Sequence, residues 1–179
     1  MKKTNIILLI ALLLLLFNKG NYQTLPQCFP YGYTIKSTVA RVIDGDTFVL
    51  SDSTHVRMLG INTPEIARQR KPSEPFADSA AHFVKTLIEG KQIKLTIEEF
   101  SPFTKGGNTK GVYDIFGRLL AYVWLTDANG KDSLFIQAEL LKAGLARISH
   151  YPKGKRYYDL FYNLRRTARR QHLGIWSND

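Results

Sequence analysis

The sequence predicts a small α+β domain in which five short strands are interrupted and then followed by helices. Apolar and β-branched residues alternate in short runs separated by Gly, Asp and Ser, which is typical of antiparallel strands. Other segments repeat apolar residues every three or four positions, which is typical of amphipathic helices. The chain has 179 residues, enough for one domain with a real core and hardly enough for two.

The predicted strands share this alternation and end at turn residues. Asp44-Gly45 separates the first strand from the second, and an Asp-Ser-Thr turn separates the second from the third. A glycine-containing loop over residues 101–111 lies between the last two strands. The five predicted strands cover residues 38–43, 47–50, 55–59, 92–100 and 118–125.

Three helices are predicted from capping residues and apolar stripes. The first covers residues 75–90 with Ser73 as its cap, and the second is capped by Asp132 or Ser133 and stops before a glycine. The third covers residues 157–172. Outside its apolar stripe the third helix carries four arginines, Arg165, Arg166, Arg169 and Arg170. Such a run is either solvated helix surface or a set of phosphate contacts, and the sequence leaves both open.

The amino-terminal segment has the composition of a signal peptide. A short basic start precedes the apolar residues 6–17, which as a helix would span about 18 Å. That length falls short of the roughly 30 Å hydrocarbon core of a bilayer. We therefore expect residues 1–20 to be a signal peptide, with a retained membrane anchor as the alternative because the cleavage pattern is weak. Residues 21–33 are predicted to be a linker. The protein is expected to be secreted, that is, periplasmic or extracellular.

Charge and cysteine content narrow the function classes. The formal net charge of +10 favours a polyanionic partner such as nucleic acid, or an anionic surface. Cys28 is the only cysteine, so the chain forms no internal disulfide and the fold depends on its core. No signal for oligomerisation stands out, and a monomer is expected.

Charged and polar residues concentrate along the first three predicted strands. Asp44, Asp46, Arg57, Asn62 and Glu65 follow one another there, so acidic and basic groups could converge near the strand ends. An arginine beside a cluster of oxygen ligands suits a phosphate ester held against a hard cation.

Several blocks, taken in order, resemble the staphylococcal nuclease (thermonuclease) family. They are Asp44-Gly45-Asp46-Thr47, Arg57, Asn62-Thr63-Pro64-Glu65, Asp114 to Tyr122, and Leu173 to Ser177. The resemblance covers residues 34–177, which we take as one staphylococcal nuclease-like domain. It implies a five-stranded OB-type β-barrel with about three helices, a fold that the predicted strands and helices also fit.

The resemblance also implies roles for individual residues. Asp46 matches the principal calcium carboxylate, and Asn62 and the backbone carbonyl of Thr63 match the other protein ligands of Ca²⁺. Glu65 matches the general base on water. The remaining matches are Arg57 and Arg118 for the two arginines that bind the phosphate, with Phe116 and Tyr151 near the bound nucleotide.

Two residues depart from the family pattern. Asn62 stands where many members carry Asp, so a charged calcium ligand is replaced by an amide oxygen. We expect this to weaken calcium binding about tenfold to a hundredfold without abolishing it. Phe116 replaces a tyrosine, which removes a hydroxyl that could touch phosphate and costs about 1 kcal/mol.

The expected function is a secreted, calcium-dependent nuclease that hydrolyses DNA and RNA with little sequence preference. By resemblance its products would end in 3′-phosphate. The alternative is a non-catalytic nucleic-acid-binding module in which Asn62 marks a decayed metal site. Survival of Asp46, Arg57, Glu65 and Arg118 together favours the enzyme. No protein partner is implied, and membrane association is expected only if residues 1–20 are retained.

Overall fold

The structure is a computed structural model and describes residues 33–67, 71–97, 113–149 and 156–178. The strands are β1 (Tyr33–Val42), β2 (Thr47–Leu50), β3 (His55–Met58), β4 (Ile61–Asn62), β5 (Gln92–Ile97), β6 (Leu119–Thr126), β7 (Asp132–Phe135) and β8 (Arg147–Ile148). The helices are α1 (Ala77–Ile88), α2 (Ile136–Lys142) and α3 (Tyr158–Arg170), followed by a 3-10 turn over Gly174–Trp176.

Five of these strands close into a barrel. Long strand β1 pairs antiparallel with β2 along one half and with β5 along the other. Its register shifts between Val39 and Arg41, and such an irregularity bends a strand so that it can serve both neighbours. Strand β6 pairs antiparallel with β5 and parallel with β3, which closes the ring. The predicted α+β fold with a five-stranded barrel and three helices is confirmed.

The barrel interior is filled by the alternating apolar residues of its strands. Ile93, Leu95 and Ile97 of β5 are fully buried, whereas Gln92 is exposed. Residues 119–123 of β6 are all buried, because helix α2 covers the outer face of this strand. Helix α1 packs against β1 and α2, and α3 packs against α2. The core is therefore continuous from the barrel to the helices.

A buried glutamine fastens helix α2 to the barrel. Gln137 is completely buried, and its amide accepts a hydrogen bond from Val123 N–H at 3.0 Å. The same amide donates to the carbonyl of Ala121 at 3.1 Å. Both polar atoms of the Gln137 amide therefore have hydrogen-bond partners inside the core. The two hydrogen bonds also fix the position of α2 along β6.

The structure corrects two predicted helix starts. Asp132 and Ser133 belong to strand β7, not to a helix cap: Ser133 Oγ donates to Leu125 O, and Asp132 pairs with Lys94 on β5. Helix α2 begins only at Ile136, because pairing with β6 holds residues 132–135 extended. Ser73 does not cap α1 either, because its hydroxyl accepts a hydrogen bond from Ala67 N–H. The residue that directly precedes the helix is Phe76, which forms no side-chain cap.

The predicted signal peptide and all but the last residue of the predicted linker lie outside the described residues, and β1 begins at Tyr33. In the part of the chain that the structure describes, no helix is both long enough and apolar enough to cross a bilayer.

Candidate active site

The β2–β3 hairpin sets the position of the two oppositely charged residues at the centre of the site. Its register places Arg57 directly opposite Thr47, the residue that follows Asp46. Met58 N–H donates to the Asp46 carbonyl at 2.9 Å and extends the pairing by one step. Residues directly opposite in an antiparallel pair lie on one face of the sheet. The pairing therefore brings the backbone of Asp46 within one residue of Arg57, and their side chains meet in an ion pair of 3.1 Å.

The Asp46 carboxylate is buried and fully surrounded by partners. Oδ2 accepts from Thr63 N–H at 2.9 Å and lies 3.1 Å from Arg57 Nη2, while Oδ1 accepts from the Thr47 hydroxyl at 3.1 Å. Burial raises the pKa of Asp46 from 3.8 to about 6, against the opposing attraction of Arg57, and the nearby Asp44 carboxylate raises it further. The buried carboxylate of Asp46 is therefore harder to ionise than that of an exposed aspartate.

Arg57 is a buried organiser of the loop that follows its strand. Nη1 donates to the carbonyls of Met58 at 2.7 Å and Ile61 at 3.0 Å, and Nη2 donates to Asn62 Oδ1 at 2.7 Å. With the ion pair to Asp46, one guanidinium holds both predicted side-chain calcium ligands. Arg57 is only 4% exposed, so its guanidinium is occupied by these partners and has little contact with solvent.

Gly45 permits the close approach of the Thr63 segment. A Cβ placed on Gly45 would lie 2.8 Å from the Thr63 side chain and 2.8 Å from Ala80 Cβ. Glycine at this position therefore does more than form a hairpin turn. Because residues 44–46 and Thr63 can touch, Thr63 N–H reaches the Asp46 carboxylate, and helix α1 packs behind both through Ala80.

Arg118 directly precedes strand β6, and Asp114 orients its side chain. Asp114 Oδ1 accepts from the N–H groups of Phe116 and Arg118 at 2.9 Å each, and Oδ2 accepts from Arg118 Nε at 2.7 Å. Arg118 Nη1 donates to the Thr47 hydroxyl at 3.3 Å. Thr47 thus connects the two halves of the site, because the same hydroxyl donates to Asp46.

An open cleft of about 730 Å³ lies beside Arg118. The exposed Glu65 and the half-buried Arg118 both line it. The Phe116 ring is 76% exposed and lies 5.4 Å from the Arg118 guanidinium. The full lining is Ser53, Thr54, His55, Glu65, Tyr113, Phe116, Gly117 and Arg118.

The oxygen atoms at the site are suitable ligands for a hard cation, although few of them are charged. In the described residues no three His, Cys, Asp or Glu side chains come together as a metal cluster. The oxygens on hand are the Asp46 carboxylate, the Asn62 amide and the Thr63 backbone carbonyl, which are ligand types that Ca²⁺ accepts. Burial is the main cause of the raised pKa of Asp46 and disfavours its ionised form, which a bound cation would stabilise.

The structure divides the predicted site residues into two groups. The buried residues Asp46, Arg57 and Thr63 form one bonded cluster with the exposed Asn62. Glu65, Phe116 and Arg118 line the adjoining cleft, while Tyr151 lies outside the described residues. The roles of these residues stay predictions.

Two residues that hold the site together were missed from the sequence. Asp114 precedes Arg118 by four positions, so the local pairing could have been read from that spacing. The linking role of Thr47 depends on an arginine 71 residues away, and no local pattern contains it.

The fold and the site define a class of small barrel proteins that carry a buried acidic and arginine cluster at one rim. Comparison with known proteins gives the family: residues 55–178 match the model described as staphylococcal nuclease homologue, and the chain belongs to this family.

Individual relatives cover most of the chain. It is 33% identical to a thermonuclease of Staphylococcus intermedius over 141 residues, which is 77% of this chain and 74% of the relative. It is 32% identical to a thermonuclease of Staphylococcus hyicus, covering 78% of this chain and 75% of the relative. It is also 32% identical to the SPbeta prophage-derived endonuclease YokF of Bacillus subtilis, covering 79% of this chain and 44% of the relative.

Proposed function

We propose that the chain is a secreted, calcium-dependent nuclease that hydrolyses phosphodiester bonds of DNA and RNA with low sequence specificity. That it is an enzyme of the nuclease class follows from its family and from relatives named thermonuclease and endonuclease. The single observation that carries the finer proposal is the arrangement of Glu65 and Arg118 on one cleft beside the buried Asp46 cluster. A general base, a cation-binding group and an arginine together can activate water and stabilise the charge that develops on a phosphodiester during hydrolysis.

Arg118 is the group that meets the scissile phosphate. Its Nε is held by Asp114 and its Nη1 by Thr47, so the guanidinium is fixed before substrate arrives. A fixed guanidinium stabilises the charge that develops on the phosphate oxygens without a cost of reorganisation. Arg57 adds a second positive charge behind Asp46 and takes a phosphate oxygen in exchange for Asn62.

Glu65 is the general base. Its carboxylate takes a proton from the attacking water as the water oxygen bonds to phosphorus and the bond to the 5′ oxygen breaks. The departing 5′ oxygen takes up a proton from solvent, so the products are a 3′-phosphate end and a 5′-hydroxyl end. The backbone on either side is secured, because Glu65 N–H donates to Glu74 Oε2 at 3.2 Å and Glu74 N–H donates to Glu65 O at 2.9 Å. These bonds hold the base at the edge of the cleft.

Asp46, Asn62 and the Thr63 carbonyl would hold the calcium ion. When bound, Ca²⁺ supplies positive charge to the phosphate and lowers the pKa of a water ligand. Only Asp46 in this set is charged at neutral pH, so we expect weak affinity, suited to extracellular calcium near the millimolar range.

The second candidate function is a non-catalytic nucleic-acid-binding module. One observation favours it: Arg57 Nη2 lies 3.1 Å from Asp46 Oδ2 and 2.7 Å from Asn62 Oδ1, close to where a cation would share these oxygens. A site in which the guanidinium replaced the metal for good would bind DNA without cleaving it.

A cleavage assay separates the two. Single-stranded DNA is incubated with the wild type in chelator and in about 10 mM Ca²⁺, beside Glu65→Gln and Arg118→Ala. We expect cleavage only with calcium, and a loss of at least about a hundredfold in kcat for each variant. Matched controls are Glu139→Gln and Arg170→Ala, which remove the same charges from helix surfaces. Salt-sensitive DNA binding without cleavage at any calcium concentration would leave the binding module as the function.

A further inference from the structure

Arginine and aromatic side chains form a continuous line from the candidate active site to the far end of helix α3. The line begins at strand β8, where Arg147 is directly opposite Asn62 of β4 in an antiparallel pair. Residues opposite in such a pair lie on the same face, with Cβ atoms about 5 Å apart. Arg147 is exposed and also borders a cleft of about 340 Å³ that reaches Pro64, between Thr63 and Glu65.

From Arg147 the line continues over Trp176 onto helix α3. The Arg147 guanidinium lies 5.4 Å from the centre of the Trp176 ring, and the Arg169 guanidinium lies 5.8 Å from the same ring. Both contacts are within the range of cation–π interaction. One indole therefore connects an arginine next to the site with an arginine near the end of α3.

Helix α3 carries the line along one flank. Tyr158, Tyr162, Arg165 and Arg169 recur at intervals of four, three and four, which places them on one face beside the buried Phe161 and Ala168. Arg165 lies 4.8 Å from the Tyr162 ring, and Tyr158 stacks near Tyr162 with centroids 6.3 Å apart. The two tyrosines are 48% and 40% exposed. From Tyr158 to Arg169 this flank extends about 16 Å.

We propose that this arginine–aromatic strip (Arg147, Trp176, Arg169, Arg165, Tyr162 and Tyr158) binds the single-stranded part of the substrate beyond the cleavage site. The proposal rests on the proposed function for its substrate and deepens it. Exposed rings such as Tyr158 and Tyr162, placed beside arginines, can bind single strands, because bases stack on the rings while the guanidinium groups meet the phosphates. Two arginines at positions i and i+4 repel each other within a helix, and a bound polyanion removes that repulsion. The net charge of +10 favours the same partner.

The strip makes affinity depend on strand length. A strand of a few nucleotides fills the cleft alone, whereas a longer one also crosses the strip. The enzyme should therefore bind and process long single strands better than short ones. The affinity for RNA and for DNA should increase with strand length to the same extent, because stacking and phosphate contacts do not depend on the 2′-hydroxyl.

The test measures binding of labelled oligothymidine in chelator, so that no cleavage is required. The strip variant Arg165→Gln/Arg169→Gln is compared with Arg166→Gln/Arg170→Gln, which removes the same charge from the same helix on another face. For a strand of about 30 nucleotides we expect the strip variant to raise Kd about tenfold and the control less than about threefold. The slope of log Kd against log salt should fall by about 1.4 in the strip variant, about 0.7 for each phosphate contact. The loss should shrink markedly for a strand of about four nucleotides.

Several outcomes would contradict the proposal that the strip binds the single strand. They are equal losses of affinity in both double variants, equal losses of affinity for long and short strands, or strip-dependent binding to vesicles of anionic phosphatidylglycerol with DNA affinity unchanged.

If a double variant does not fold, Trp124→Phe leaves Trp176 as the single tryptophan of the chain. Long strands should then change Trp176 emission and short strands should not, whereas an unchanged emission refutes the proposal. Absence of cleavage in calcium together with strip-dependent binding would refute the nuclease and leave the strip standing.

Discussion

Replacing Asp46 by asparagine should stabilise the metal-free protein at neutral pH while removing its response to calcium. Burial raises the pKa of Asp46 from 3.8 to about 6, so the ionised form is less favourable in the folded protein than in the unfolded chain. That difference corresponds to about 3 kcal/mol at 1.36 kcal/mol for each pKa unit. Asparagine resembles the protonated carboxyl and carries no such cost.

The contacts in the structure can accommodate the change. The asparagine oxygen can still accept from Thr63 N–H and Arg57, and its amide can donate to the Thr47 hydroxyl in place of the present bond. Between about pH 4 and pH 6 the folded wild type binds more protons than the unfolded chain. Its free energy of unfolding therefore falls as pH rises through that window. The advantage of the variant should be below about 1 kcal/mol at pH 4 and about 3 kcal/mol at pH 8.

Urea unfolding of wild type and Asp46→Asn in chelator, at both pH values, measures this difference. Calcium at about 10 mM should then raise the unfolding midpoint of the wild type alone, because only the wild type keeps the charged ligand. Glu139→Gln removes a partly exposed carboxylate of helix α2 that pairs with Lys142, and as a matched control it should not reproduce the gain in stability. A variant that is less stable than the wild type at pH 8 in chelator would refute the reasoning, since the carboxylate would then be a net stabiliser.

Three further substitutions test how the site is built. Asp114→Ala should lower kcat/KM about tenfold or more by releasing Arg118, and steady-state kinetics within twofold of wild type would contradict this. Gly45→Ala should destabilise the fold by about 1–3 kcal/mol, because its Cβ would lie 2.8 Å from Thr63, and an unchanged thermal midpoint would remove the argument for glycine. Gln137→Leu should cost about 1–3 kcal/mol by leaving the buried Val123 N–H unpaired, while the Ala121 carbonyl keeps its bond from Leu59 N–H, and urea unfolding detects this loss.

The strands of the barrel could be predicted because their alternation matches the way they are buried. Ile93, Leu95 and Ile97 face inward as their spacing requires. The two-residue strands β4 and β8 could not be predicted, because two residues show no period and their pairing joins positions 61 and 148. Residues 132–135 were assigned to the wrong element, because Asp and Ser before an apolar run also resemble a helix cap. The pairing with β6 that decides between the two is a tertiary contact.

The candidate site could be predicted as a set of residues but not as an arrangement. Family blocks named Asp46, Arg57 and Asn62, yet nothing in the sequence shows that one guanidinium bonds both acceptors. The burial that raises the pKa of Asp46 comes from packing of the whole rim and has no local sequence signal. The link from Arg118 through Thr47 joins strands that are distant in the chain.

We expect cleavage to depend on calcium held by Asp46, Asn62 and Thr63. Calcium titration of single-stranded DNA cleavage by wild type and Asn62→Asp tests it most directly. The second carboxylate should lower the half-saturating calcium concentration about tenfold to a hundredfold, with cleavage absent in chelator for both proteins. Identical titration curves, or cleavage by the wild type in chelator, would contradict the assignment of calcium to this cluster.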